Sequence, residues 1–176
     1  MTVRSTLVKR TALALLCVSM TSVYAQKQAS QQLSKTTIEV AGTKLRLGMT
    51  KAQVAEKLVG HEVTKWHEND WTLGSRQNPG DTLQFTGGVL SYAEREWTTG
   101  VNDVAEALFG AVSALNDEGF SACSVTADTH SSPDISAQRV WIMCGEKTVA
   151  VIRRSIGGKS FTSVEEELGK WRDIGE

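Results

Sequence analysis

Apolar residues in this chain recur with two spacings, and the spacing changes along its length. In LRLGMTKAQVAEKLVG, residues 45–60, Val54 and Leu58 stand four apart on one helical face. Thr50 precedes the run as an N-cap, with Gln53 three residues on to complete a capping box. Met49 before the cap and Val54 after it have the spacing of a hydrophobic staple, and Gly60 suits the left-handed turn that ends a helix. Gly48, Met49, Thr50 and Gln53 therefore read as a structural helix entry and not as a phosphate-binding turn. A second helix is predicted from about residue 100 to 117. Its stripe is Val101, Val104, Leu108, Val112 and Leu115, widened by Ala105 and Ala111 and closed by Asn116 and Gly119.

Elsewhere the spacing is that of strands. TTIEVAG at 36–42 predicts a short strand ended by Gly42, and EVTKWHENDWTL at 62–73 carries Val, Thr and Trp at strand spacing. GSRQNPGD at 74–81 is dense in turn residues. TLQF and VLSYAEREW flank Thr86-Gly87-Gly88, a hairpin signal, so a three-stranded meander is expected after the first helix. SACSVTADT, RVWIMCG, KTVAVIRRS and SFTSVEEEL read as four further strands, the last with a helical alternative. The predicted fold is α+β: helix plus meander, then helix plus meander, on antiparallel sheet. VAEKLVG at 54–60 recurs as VAEALFG at 104–110, which raises a tandem duplication.

Residues 1–25 have the three parts of a secretory signal peptide. Arg4, Lys9 and Arg10 make a basic start, TALALLCVSM is apolar, and Ser22-Val23-Tyr24-Ala25 offers a cut after Ala25. The apolar run is shorter than the ~20 residues of a spanning helix. Cys17 follows Leu16, where a lipidation site calls for a small residue. Residues 26–36 are polar and aperiodic, a flexible leader, and 37–176 is expected to be one domain with lobes 37–98 and 99–176. The expected location is periplasmic or secreted. Without the three basic residues of the signal peptide the chain has 16 basic and 20 acidic residues and no basic stripe, which argues against nucleic acid. No later segment is apolar and long enough to span a membrane.

Cys123 and Cys144 remain after cleavage, and an even pair in an exported chain reads as a disulfide. It would close a loop of about 22 residues, worth roughly 3 kcal/mol on loop entropy. The alternative is a catalytic or metal-binding thiol pair, but the spacing fits neither a zinc nor a CxxC pattern.

Gly48-Met49-Thr50-Lys51-Ala52-Gln53-Val54, preceded by Leu45 and Leu47 and followed by Leu58 and Gly60, resembles the helix entry of SmpA/OmlA-type domains. The Trp-bearing strand at Trp66 or Trp71 and the hairpin LQFTGGVL belong to the same resemblance, which covers about residues 37–95. Such domains occur in a small lipoprotein of the outer-membrane barrel assembly machinery, and a similar architecture occurs in a secreted β-lactamase inhibitor protein. The resemblance implies a non-enzymatic, protein-binding module. The chain departs from it at Val59, at His61-Glu62 in place of a proline, and in lacking the lipid-bearing cysteine.

Other chemistry finds incomplete patterns. Gly158-Lys159-Ser160 ends like a P-loop, but Arg153 occupies the first glycine position. His67-Glu68-Asn69-Asp70 would alternate faces in a strand, so its ligand atoms diverge; His61 and His130 lie elsewhere. No G-x-S-x-G is present, Glu165-Glu166-Glu167 reads as a charge run that is solvated or at a strand edge, and no cofactor or metal is called for. The expected function is an exported binding module that contacts a protein or envelope component through Trp66, His67, Trp71 and Trp97. The alternative is an envelope-directed hydrolase.

Overall fold

The computed structural model describes residues 33–97, 103–133 and 135–170. The predicted signal peptide, most of the predicted leader, the start of the second predicted helix and Trp171 lie outside the described residues. Strands β1 (Ile38–Val40) and β2 (Thr43–Leu45) pair as a two-stranded ribbon. Helix α1 (Lys51–Lys57) follows, then β3 (Val63–Lys65), β4 (Asp70–Ser75), β5 (Asn78–Thr86) and β6 (Val89–Trp97). Helix α2 (Val104–Asp117) leads into β7 (Ser124–Ser131), β8 (Ile135–Cys144), β9 (Lys147–Ile156) and β10 (Lys159–Gly169). Strands β3 to β10 form one antiparallel sheet in the order β3-β4-β5-β6-β10-β9-β8-β7. The seam is β6–β10, running from Trp97 opposite Val164 to Tyr92 opposite Gly169. Gly169 is required there: a Cβ would stand 2.2 Å from the Ser91 carbonyl oxygen.

The α+β fold expected from the sequence is incorrect. Strands take 55% of the described residues and helices 16%, so the protein is mostly β. Segments that read as connections are strand. GSRQNPGD turns only at Arg76-Gln77, with Gly74 opposite Pro79 and Ser75 opposite Asn78. A β-bulge between Thr72 and Gly74 allows this. The positive φ of Gly74, at 95°, and the 2.6 Å that would separate a Cβ from the Asn78 carbonyl oxygen leave only glycine there. The stretch 62–73 is two strands, folded back where the Trp66 amide donates to the Asp70 carbonyl. Four strands, not three, therefore follow α1.

The duplicated heptapeptide does not occupy equivalent positions either. Val54 is the fourth residue of α1 and its segment runs out of the helix at Leu58, whereas Val104 is the first residue of α2. The shared letters reflect amphipathic composition. Strand is the state of residues 159–169, where alternation puts the apolar Val164 and Leu168 on one face and Glu165 and Glu167 on the other.

Both helices pack on one face of the sheet. Val54 of α1 and Leu58 at its C-cap meet Trp71, Leu83, Phe85, Leu90 and Leu168, with Ile38, Val40 and Leu45 of the ribbon closing that cluster. Ala107, Ala111 and Leu115 of α2 meet Ile142, Cys144, Val149, Val151 and Val164. The helix entry is built as its residues predict. Gln53 N–H donates to Thr50 Oγ1 at 3.2 Å and Thr50 N–H to Gln53 Oε1 at 2.9 Å. Met49 and Val54 lie in the same core cluster, and Gly48 N–H donates to the Leu90 carbonyl at 2.9 Å, which hangs the turn on β6. Thr50→Ala removes one half of the box. It is expected to lower stability by about 0.5–2 kcal/mol in urea titration, with an unchanged native spectrum. An unchanged unfolding midpoint would count against the cap.

Between the two core clusters lies a charged network. Glu166 sits on β10 between Val164 of one cluster and Leu168 of the other, and is 1% exposed. Lys147, also 1% exposed, reaches its Oε1 at 2.6 Å, and Arg95 Nε and Trp97 Nε1 donate to Oε2 at 2.6 and 2.8 Å. Lys147 Nζ also donates to Glu118 at 2.5 Å, tying the end of α2 to the seam. Burial pushes Glu166 up, but the Lys147 and Trp97 hydrogen bonds and the charges of Lys147 and Arg95 outweigh it. The carboxyl is held below the usual range. Sulfur closes the second half: Cys123 and Cys144 form a disulfide with their Cα atoms 4.5 Å apart.

Candidate functional site

The face of the sheet turned away from the helices carries the chemistry. Cross-strand partners share a face, so the register defines its rows. One row crosses all eight strands: Thr64, Thr72, Thr82, Glu94, Glu167, Thr148, Met143 and Ser124. A neighbouring row places Glu96 opposite Glu165, Glu165 opposite Ala150, and Ala150 opposite Trp141. Four carboxylates therefore collect at the β6–β10 seam. The row on the other side is Gln84, Tyr92 and Gly169.

Neighbouring groups act on these carboxylates. Tyr92 Oη donates to Glu94 Oε2 at 2.8 Å. Arg154 donates to Glu165 at 2.6 Å and to Ser163 Oγ at 2.8 Å, so one acid of the four is ion-paired. Burial raises Glu94 above the usual carboxylate range, against the Tyr92 hydrogen bond and with the repulsion of Glu165, Asp81 and Glu96. Burial, then the charges of Glu94 and Glu165, push Glu167 up from 4.5 to about 6. The Tyr92 hydroxyl is pushed up by burial and by Glu94 and Glu167. Like charges held together in this way seek a cation or protons.

A pH dependence follows from Glu167. A carboxyl raised above its ordinary value favours the folded state when protonated. That contribution is fully present below pH 4.5 and is lost as pH rises through about 6. Glu167→Gln is therefore expected to raise the melting temperature at pH 7.5 and to leave it close to wild type at pH 4. Equal melting temperatures for the two proteins at pH 7.5 would remove the repulsion from the account.

No family model matches this chain, and neither a curated protein nor a solved structure does.

The residues singled out from the sequence do not converge. Trp66 is on the helix-free face, 42% exposed, with Nε1 donating to Thr72 Oγ1 at 2.8 Å and the Arg76 guanidinium 5.4 Å from its ring. His67 beside it is exposed. Trp71 is a correction. It lies one strand position from Thr72, hence on the opposite face, 4% exposed and 4.6 Å from the Phe85 ring. Trp97 also faces the helices, partly buried against the α2 cluster and spending its N–H on Glu166. Alternation in β4 and β6 separates these tryptophans from Trp66. His61 and His130 are exposed and apart from the seam.

Sequence reasoning missed the carboxylate band. Glu165-Glu166-Glu167 reads as one charge run, yet in a strand it divides, with Glu166 buried on the helix side and its neighbours on the open side. Period-two alternation was the available signal. Trp141, whose Nε1 donates to Asp128 Oδ2 at 2.9 Å, and Phe161, 43% exposed opposite Arg154, supply aromatic surface on the same face. Among the described residues no three His, Cys, Asp or Glu side chains are grouped to hold a metal ion, and no helix is long and apolar enough to cross a membrane.

Proposed function

We propose that this chain is an exported, non-enzymatic binding module whose helix-free sheet face holds a cationic segment of a protein or envelope component. The observation that carries the reading is the band of Glu94, Glu96, Glu165 and Glu167 at the seam, on the same face as the aromatic rings of Trp66, Trp141 and Phe161. Acids set the charge of the partner, and exposed aromatic rings supply contact area at low entropic cost. The three-part N-terminus and the Cys123–Cys144 disulfide support a periplasmic or secreted location, since such bonds persist in oxidising compartments. The helix entry at 48–54 supports kinship with SmpA/OmlA-type domains, which are themselves protein-binding modules in exported proteins.

Two measurements test this. The exported protein should begin at Gln26 by intact mass; a full-length cytosolic chain would defeat the export reading. Immobilised protein should retain a partner from an envelope fraction, with retention falling as salt is raised. Trp66→Ala with Phe161→Ala, and separately Glu94→Gln with Glu167→Gln, should each reduce retention at least tenfold while the fold is kept. Undiminished retention by both double variants would place binding elsewhere.

A further inference from the structure

The two edges of the eight-stranded sheet are treated differently. Edge strand β3 has three residues, ends in Lys65 and pairs with the bulged β4. A short edge, a lysine and a bulge are the usual means of blocking strand addition. Edge strand β7 has none of them. It runs for eight residues, SVTADTHS, without proline, lysine, arginine or bulge, and every residue is exposed.

The groups β7 presents outward can be identified. In an antiparallel pair, residues alternate between hydrogen-bonded positions, with Cα atoms about 5.5 Å apart, and non-bonded positions at about 4.5 Å. Cys123 stands opposite Cys144 with its Cα 4.5 Å away, so that pair is non-bonded. At the other end, Ser132 N–H donates to the Ile135 carbonyl at 2.8 Å, a bonded pair. Counting inward from either end gives the same phase. Ser124, Thr126, Asp128 and His130 use their main-chain groups on β8. Val125, Ala127, Thr129 and Ser131 turn theirs outward, where no described strand receives them. All four are uncharged. The disulfide and the unbroken register with β8 fix this edge in an extended form, so pairing costs little ordering entropy.

We propose that β7 is a self-association edge, joining antiparallel to β7 of a second copy about a two-fold axis at Ala127. This occupant is argued from self-complementarity. With Ala127 opposite Ala127 of the second copy, Val125 meets Thr129, a β-branched pair on the helix side. On the open face Thr126 meets Asp128 and Ser124 meets His130, each a hydroxyl against a side chain with hydrogen-bonding capacity. Asp128 already accepts from Trp141 Nε1 and lies 3.7 Å from Arg139, and its carboxylate has lone pairs to spare. Of the two registers a two-residue slip away, one would set Asp128 against Asp128, which like charges disfavour, and the other would set Val125 against Ala127 and lose the β-branched pair. The pairing places the helix-free faces of both copies on one side of a continuous sheet. It does not depend on what that face binds.

The test is sedimentation of the purified protein over a wide concentration range, with amide hydrogen exchange at the low and high ends. The expected result is a mass rising toward twice the monomer, with Val125, Ala127 and Thr129 amides exchanging at least tenfold more slowly at high concentration. Ala127→Lys should hold the protein monomeric. Thr129→Pro should do the same without loss of fold, because the N–H it removes is not used by β8. Should the proline variant fail to fold, the lysine variant carries the test. A monomer at every concentration would overturn the proposal, as would a dimer that survives Ala127→Lys or leaves those amides fast.

Discussion

Glu166→Ala is expected to cost about 3–5 kcal/mol, the largest loss from any single substitution considered for this protein. The carboxylate is 1% exposed and receives Lys147, Arg95 and Trp97. Removing it leaves a 1%-exposed ammonium whose remaining acid, Glu118, sits on a 40%-exposed side chain. It also leaves an indole N–H without its acceptor at the centre of the sheet. Urea denaturation at pH 7 measures the cost. A second variant identifies the cause. Lys147→Met with Glu166→Met together replaces both charges by apolar volume, and should lose less than Glu166→Ala alone although it changes more atoms. Acid adds a third readout. Because Glu166 is held below its ordinary 4.5, its contribution is present above that pH and is lost as pH falls through the lower folded value. A loss under 1 kcal/mol in Glu166→Ala would mean that the network is solvated and the core continuous without it.

Breaking the disulfide ranks next. Cys123 and Cys144 are separated by 21 positions, a loop whose closure is worth about 3 kcal/mol, within the 2–5 kcal/mol that native bonds of small exported domains contribute. Cys123→Ser with Cys144→Ala is the suitable pair. Cys123 is exposed and tolerates a hydroxyl, whereas Cys144 is 1% exposed inside the α2 cluster and does not. The double variant should lose about 3 kcal/mol in urea. Its β7 amides that bond to β8 should gain exchange rate more than those of the α1 cluster. If the chain is exported as proposed, thiol titration of the denatured, unreduced protein should read near zero. Two titratable thiols would show that the bond does not form in the cell, and an unchanged urea midpoint in the double variant would show that it does not stabilise the fold.

What the sequence by itself determined was local. Thr50 and Gln53 specify the helix entry because both partners of a capping box lie within four residues. Alternation from Ser124 onward specifies strands, because side chains two apart must share a face. The Cys123–Cys144 pair was legible because a polar turn returns one strand on the next. Tertiary structure decided what depends on partners distant in sequence. Whether GSRQNPGD turned or continued as strand depended on the ladder between β4 and β5. No local signal placed Trp71 in the core and Trp66 on the open face, since the fold between them resets which side each strand position meets. The seam between β6 and β10 joins residues some 70 positions apart. Only that pairing brought Glu94 and Glu96 beside Glu165 and Glu167, and set Glu166 behind them against Lys147 and Arg95. Side chains in one charge run thus came to do opposite things, because a strand divides its neighbours between solvent and core.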